Sequence, residues 1–242
     1  ANAAARRSVD VTLPPRFPGG HLTLPNRSGT LFPADGLRGL VGLYDRYLSL
    51  RVRRNADALP EHVALVITER DLLERDAYDT LTALFRWAFD YGAEQVTVYV
   101  SVLDGAAAPT LRRELERLST PREVAVRGPE HTDRADAPIQ VSVGLGGRHE
   151  FATAVQDIAR DVADSDLDPE TIDETDIEKR LVFPAEPDLV IKTGAERLSD
   201  FMIWQSVYSE LYFTDVNWRD LRRRDYLRAL LEYADRQRRF GE

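Results

Sequence analysis

The run Asp188-Leu189-Val190-Ile191-Lys192-Thr193-Gly194-Ala195-Glu196-Arg197-Leu198-Ser199-Asp200-Phe201-Met202-Ile203-Trp204-Gln205 joins three patterns in one short segment. Its first five residues form a mostly apolar strand, Gly194 makes a tight turn, and Lys, Thr, Glu, Arg, Ser and Asp crowd the positions that follow. From Phe201 onward the spacing is that of an amphipathic helix. A strand that empties into a glycine turn dense in cationic and hydroxyl side chains is suited to holding an anion.

Upstream, the same alternation recurs. His62 to Ile67 is an unbroken apolar strand of the kind found at the centre of a parallel sheet. Leu81, Leu84, Phe85 and Ala88 mark a helix ending near Gly92, and Gln95 to Val102 is a second strand. A short helix over Pro109 to Leu118, a strand over Glu123 to Arg127 and a buried strand over Ile139 to Val143 follow. Phe151, Val155, Ile158 and Val162 predict another helix, after which the acidic loop Asp164 to Asp168 leads into a charged helix reaching Lys179. Ahead of the first strand, Leu37, Leu40, Val41, Tyr44, Tyr47 and Leu48 share one helical face. The fold class is therefore α/β, a mostly parallel central sheet with helices on both faces, whose ligands bind beyond the C-terminal ends of the strands. The turns after Ile67, Val143 and Ile191 all fall at that edge. Residues 1–35, rich in Pro and Gly, read as an irregular arm, and residues 36–242 as one domain.

Composition narrows the function classes. The chain of 242 residues carries 41 acidic against 32 basic residues, a net charge of −9, which disfavours nonspecific nucleic-acid binding. Lys179 and Lys192 are its two lysines. An acid-rich, lysine-poor surface predicts a salt-rich cytoplasm, a halophile; the competing reading is a GC-rich genome that inflates Arg and Ala. There is no cysteine, so disulfides play no part. No apolar stretch approaches the roughly 20 residues of a membrane span, which points to a cytoplasmic protein with at most peripheral membrane contact. Because the chain begins at Ala1, an upstream segment is expected. His21, His62, His131 and His149 lack metal-ligand spacing, so no zinc site is expected. Gly144-Leu145-Gly146-Gly147 lacks the spacing of a dinucleotide loop and reads as a close backbone passage between strand and helix. Trp204, Tyr208, Leu211 and Phe213, at near-helical spacing, read as core, and Arg222-Arg223-Arg224 as a solvated face.

The C-terminal quarter resembles the cis-prenyltransferases, the undecaprenyl diphosphate synthase family, which add isopentenyl units to an allylic diphosphate. The residues that carry the resemblance are Lys192-Thr193-Gly194-Ala195-Glu196, Arg197-Leu198-Ser199-Asp200-Phe201, Trp204-Gln205 with Tyr208 and Glu210, and the ending Arg238-Arg239-Phe240-Gly241. Leu59-Pro60-Glu61-His62-Val63-Ala64-Leu65-Val66-Ile67, Val96-Thr97-Val98-Tyr99 and Gly146-Gly147-Arg148-His149-Glu150 agree as well, so that the likeness extends over 36–242. It implies that Lys192, Arg197 and Ser199 hold isopentenyl diphosphate. It further implies that Glu210, on the helix after Trp204-Gln205, is a Mg²⁺ ligand, and that Arg239 and Gly241 reach a partner subunit's active site.

One departure dominates. After its first strand the family has Met-Asp-Gly-Asn, with the aspartate holding Mg²⁺ beside the allylic diphosphate; this chain has Ile67-Thr68-Glu69-Arg70. Thr68 stands at the aspartate's position, and Glu69 brings a negative charge and a Cβ to a turn that should approach phosphate closely. Glu69 and Asp71 are the candidates to supply a relocated carboxylate, although catalysis tolerates only about 1 Å of misplacement before rates fall by about 10²-fold. Lys192 stands where the family has an arginine, exchanging a planar fork for a point charge. Asp76-Ala77-Tyr78-Asp79 and Val102-Leu103-Asp104-Gly105 also depart from the family pattern. The expectation is a subunit that lacks its own catalytic residue and completes the site of a homologous subunit in a hetero- or homodimer, with Mg²⁺ bound weakly or only within that complex. The alternatives are an active polyprenyl diphosphate synthase and a binder or sensor of isoprenoid diphosphates. Apolar residues on the helices after the first two strands either line a lipid tunnel or pack the core.

Overall fold

The computed structural model describes residues 34–194 and 200–240, with side chains described for 42–194 and 200–236. Six strands form one sheet in which every neighbouring pair is parallel: β1 (His62–Thr68), β2 (Gln95–Ser101), β3 (Val124–Arg127), β4 (Ile139–Val143), β5 (Leu189–Thr193) and β6 (Glu210–Thr214). Their spatial order is β3-β4-β2-β1-β5-β6. The central strands β1, β4 and β5 are buried along their whole length, as the unbroken apolar runs require. His62 opens β1 and is buried too. A backbone carbonyl can only accept, so its Nδ1–H donates to Glu186 O at 2.9 Å, leaving Nε2 to accept from the Thr97 hydroxyl at 2.8 Å. The Asp188 carboxylate accepts the N–H groups of Glu61 and His62 at 2.9 and 2.8 Å, which pins the start of β5 to the start of β1.

Helices α1 (Ala34–Arg53), α2 (Glu69–Leu73), α3 (Ala77–Asp90), α4 (Ala108–Glu116), α5 (Gly147–Ala163), α6 (Glu174–Glu178) and α7 (Arg223–Phe240) connect and cover the strands. Residues of α1, α3, α4 and α7 form one continuous core with Val63, Leu65, Ile67, Val98, Val141 and Ile191, all on one face of the sheet. Leu81, Leu84, Phe85, Leu111 and Leu115, the apolar residues after the first two strands, are buried in this cluster and packed against strand side chains. On the opposite face Ala64, Val66, Tyr99 and Val190 pack beneath Leu145, Val182, Phe183, Phe201 and Met202.

Several expectations need correction. The segment from Phe201 onward forms turns instead of a helix, because Asp200 and Met202 have φ of 56° and 28°, outside the helical region. The near-helical spacing of Trp204, Tyr208, Leu211 and Phe213 is therefore not a core stripe. Tyr208 is 86% exposed, and Phe213 is 57% exposed on the edge strand β6. Glu210 opens β6 and is not helical. On α5 the inward positions are Ala154 and Ile158 while Val155 is exposed, and on α1 Leu48 and Val52 face inward while Tyr44 and Tyr47 are exposed. The acidic loop leads into a short helix, α6, that ends before Lys179. The arm expected over residues 1–35 lies almost wholly outside the described residues.

Candidate active site at the strand ends

At the C-terminal edge of the sheet stand Thr68 at the end of β1 with Glu69 after it, Lys192 and Thr193 at the end of β5, and Gly146 and Gly147 after β4. At the end of β1, Thr68 is the N-cap of α2 and forms a reciprocal cap with Asp71. The Asp71 carboxylate accepts from Thr68 N at 2.8 Å and from its hydroxyl at 2.9 Å, while Asp71 N donates to Thr68 Oγ1 at 3.3 Å. Glu69 is buried, and its Oε2 accepts the N–H of Asp104, in the turn after β2, at 3.4 Å. Both carboxylates near the position of the family aspartate thus hold backbone in place.

The end of β5 is arranged differently. Lys192 is 3% exposed, and its ammonium donates to Thr193 O at 2.6 Å. No carboxylate among the described residues pairs with it. The neighbouring Thr193 is buried with a hydroxyl that has no hydrogen-bond partner among the described residues. Gly194 follows with φ of 72°, a conformation that a Cβ would strain, and its N–H donates to Val216 O at 3.3 Å. Val66 is in register with both Tyr99 and Lys192, so the three side chains form a row on one face. Burial pushes the Tyr99 hydroxyl up to about 12, with the Asp200 charge adding to the shift, and its ring meets Phe201 edge-on at 5.6 Å. This end of β5 is desolvated and cationic, and among the described residues the Thr193 hydroxyl is left unsatisfied.

At the end of β4 the expected close passage is present. A Cβ on Gly147 would lie 2.7 Å from Ile203 N and 3.0 Å from Met202 N, and one on Gly146 would lie 2.0 Å from the Asp200 carboxylate. The room left by these glycines lets Asp200 cap α5: its Oδ1 accepts from Arg148 N at 2.8 Å and its carbonyl accepts from Gly147 N at 2.8 Å. One turn along, Glu150 is buried and accepts from Phe183 N at 2.8 Å and from Gln205 Nε2 at 3.2 Å, and Gln205 also donates to Phe183 O at 2.7 Å. Burial raises the Glu150 carboxyl above its ordinary range, offset in part by these donors. Glu150, Asp200 and Gln205 were legible as motif letters without a role. Their role is to fasten the segment after β5 to α5.

Glu210 is not brought to this edge within the chain. It is in register with Leu189, at the start of β5, whereas Lys192 pairs with Phe213. At about 3.3 Å per residue this puts Glu210 roughly 10 Å below the Lys192 row along the strand direction. Its carboxylate accepts from Arg236 at 3.0 Å. Glu69, Asp71 and Glu210 therefore do not converge on a common point, and as arranged in one chain they do not fit a magnesium site. Arg197, Ser199 and Gly241 lie outside the described residues; Arg239 belongs to α7, but its side chain also lies outside them.

A family model described as putative undecaprenyl diphosphate synthase matches residues 114–241. The tritrans,polycis-undecaprenyl-diphosphate synthase (geranylgeranyl-diphosphate specific) of Methanopyrus kandleri is 33% identical, over 85% of this chain and 92% of the relative. The short-chain Z-isoprenyl diphosphate synthase of Mycobacterium leprae is 30% identical, over 84% of this chain and 96% of the relative. Among solved structures, lavandulyl diphosphate synthase from Lavandula x intermedia, in complex with dimethylallyl diphosphate, superimposes with a TM-score of 0.59 at 22% identity, covering 74% of this chain and 96% of that one. A probable undecaprenyl diphosphate synthase from Campylobacter jejuni gives a TM-score of 0.55 at 21% identity, covering 76% and 99%. These two show the same fold. With the parallel sheet, the buried Lys192 at its C-terminal edge and relatives matched over nearly their whole length, the chain belongs to the undecaprenyl diphosphate synthase family of cis-prenyltransferases.

Proposed function

We propose that this chain is a partner subunit in polyprenyl or dolichyl diphosphate synthesis that binds isopentenyl diphosphate but leaves bond formation to a homologous subunit carrying the aspartate. The observation that carries the reading is the closed exit of β1: Thr68 stands where the family has its catalytic carboxylate, and the carboxylates of Glu69 and Asp71 are engaged by backbone N–H groups. Freeing either one would break a cap or leave a buried donor unsatisfied, at a cost of about 1–3 kcal/mol. In this reading Lys192 and Thr193, together with Arg197 and Ser199, hold the diphosphate of isopentenyl diphosphate. Arg239 and Gly241 complete the partner's site. Mg²⁺ enters only in the complex, where the partner contributes the carboxylate and the metal neutralises diphosphate charge. No helix among the described residues is long and apolar enough to cross a membrane.

Co-expression with a complete homologue tests the proposal. A stable complex with higher polyprenyl diphosphate output than the homologue alone is expected, and Arg239→Ala should abolish the increase. No complex, or a complex indifferent to Arg239→Ala, contradicts it. A second reading, an active synthase, draws on the extent of similarity to relatives that are themselves named as synthases. Turnover by the purified chain with geranylgeranyl diphosphate, isopentenyl diphosphate and Mg²⁺ would favour it. The third reading, a diphosphate binder or sensor, predicts calorimetric binding of isopentenyl diphosphate with no partner and no turnover. The acid-rich surface adds a proposal about the source: in a halophile the unfolding midpoint climbs with KCl, whereas a salt-independent midpoint rejects it.

A further inference from the structure

The last helix is held to the sheet by two different devices along its length. Leu227, Leu230, Leu231 and Ala234 of α7 are buried, and Ala234 is the last buried residue of the helix among the described side chains. Two residues on, polar contacts take over. One nitrogen of the Arg236 guanidinium donates to the Glu210 carboxylate and to Leu211 O, both at 3.0 Å, and the other donates to the Glu232 carboxylate at 2.6 Å. A single planar fork thus ties the helix to its own preceding turn and to the first two residues of the edge strand β6. Glu210 is a firm base for this tie, because its N–H donates to Asp188 O at 2.9 Å and the Asp188 carboxylate in turn holds the start of β1. Arg236 is the one described partner of the Glu210 carboxylate.

We infer that Arg236 and Glu210 are positioning residues: together they fix the last turn of α7, which carries Arg239, and Glu210 serves this anchor instead of ligating a metal. The use of the anchor rests on the partner-subunit reading, in which Arg239 and Gly241 complete a neighbouring site. Helix ends fray first unless packing or side chains hold them. Arg239 follows Arg236 by less than a turn, about 4.5 Å along the axis, so release at Arg236 frees Arg239 as well. A group that must meet a diphosphate tolerates only about 1 Å of misplacement. Glu210 stands at the far end of β5 from Lys192, with its carboxylate engaged in a charge-assisted hydrogen bond that a cation would have to displace.

Amide hydrogen exchange in the purified full chain tests the anchor without a second subunit. Arg236→Ala and Glu210→Ala should each speed exchange over residues 237–240 by about tenfold and leave residues 227–234 unchanged. The double variant should do no more than either single one, since both remove the same contact. In complex with a complete homologue, both variants should keep the wild-type affinity for that homologue and raise the KM for isopentenyl diphosphate about tenfold. The Mg²⁺ concentration for half-maximal turnover should stay the same. Unchanged exchange over 237–240 overturns the inference, as does an active wild-type complex whose KM neither variant moves. A shifted Mg²⁺ requirement in Glu210→Ala alone would make that carboxylate a metal ligand and overturn it equally. A wild-type chain that stimulates no homologue removes the partner-subunit reading and with it the use of the anchor, while exchange still decides whether Arg236 and Glu210 hold the helix end.

Discussion

The exits of β1 and β5 lie side by side in the sheet and treat their polar groups in opposite ways. At β1 each carboxylate has a local partner: Asp71 closes on Thr68 and Glu69 reaches the turn after β2. At β5, among the described residues, a buried ammonium lacks a counter-ion and a buried hydroxyl lacks a partner. Burying polar groups without full compensation costs stability, and sequences keep such arrangements where a ligand supplies the missing interactions. In the proposed reading the two exits divide a two-substrate site: the β1 half is taken up in ordinary capping, and the β5 half keeps polar groups for a diphosphate.

The largest effect should come from Lys192. A Lys192→Met change removes a buried, unpaired charge, so isopentenyl diphosphate affinity measured by calorimetry should fall by about 100-fold or more while stability stays level or rises by about 1 kcal/mol. Lower stability with unchanged binding would erase the difference between the two exits. Next, Gly147→Ala sets a Cβ against two backbone nitrogens and should cost about 1–3 kcal/mol in urea unfolding. Asp200→Ala, which removes the cap on α5, should cost about 1 kcal/mol, and Asp200→Asn, which can still accept from Arg148 N, should recover most of it.

The smallest effect is a pH dependence. Burial lowers the His62 pKa from its ordinary 6.5, against the opposing pull of the Glu186 carbonyl and the Asp188 charge. Between the lowered folded value and 6.5 the unfolded chain binds a proton that the folded chain does not, so stability rises with pH through that window and levels off above it. Glu150 acts in the opposite sense. Its raised folded pKa means that stability is greatest below the ordinary carboxylate range and declines as pH rises through the folded value. Urea midpoints measured across this range should show a shallower rise below pH 6.5 in His62→Asn and a smaller decline with rising pH above the ordinary carboxylate range in Glu150→Gln.

The sheet was legible in the sequence because its signals are local. Unbroken apolar runs gave β1, β4 and β5 to within a residue or two, and glycines gave the turn after β5 and the close passage before α5. What was missed depends on partners distant in the chain. The capping of α5 by Asp200 joins two separate crossovers, and the positive φ values that stop a helix at Met202 exist because that segment folds against Gly146 and Gly147. Glu210 was misplaced for the same reason, since only pairing with β5 reveals that it opens a strand at the far end of the sheet. Among the site residues, the burial of Lys192 follows from its place in an apolar strand, but its lack of a counter-ion required the neighbours.

Incubating the purified chain by itself with geranylgeranyl diphosphate, labelled isopentenyl diphosphate and Mg²⁺ is the most direct test of the division between the two exits. The account predicts that isopentenyl diphosphate binds and no labelled polyprenyl product forms. Sustained product formation that Glu69→Gln or Asp71→Asn abolishes would contradict it, because one of the carboxylates assigned to holding backbone would then be holding the reaction.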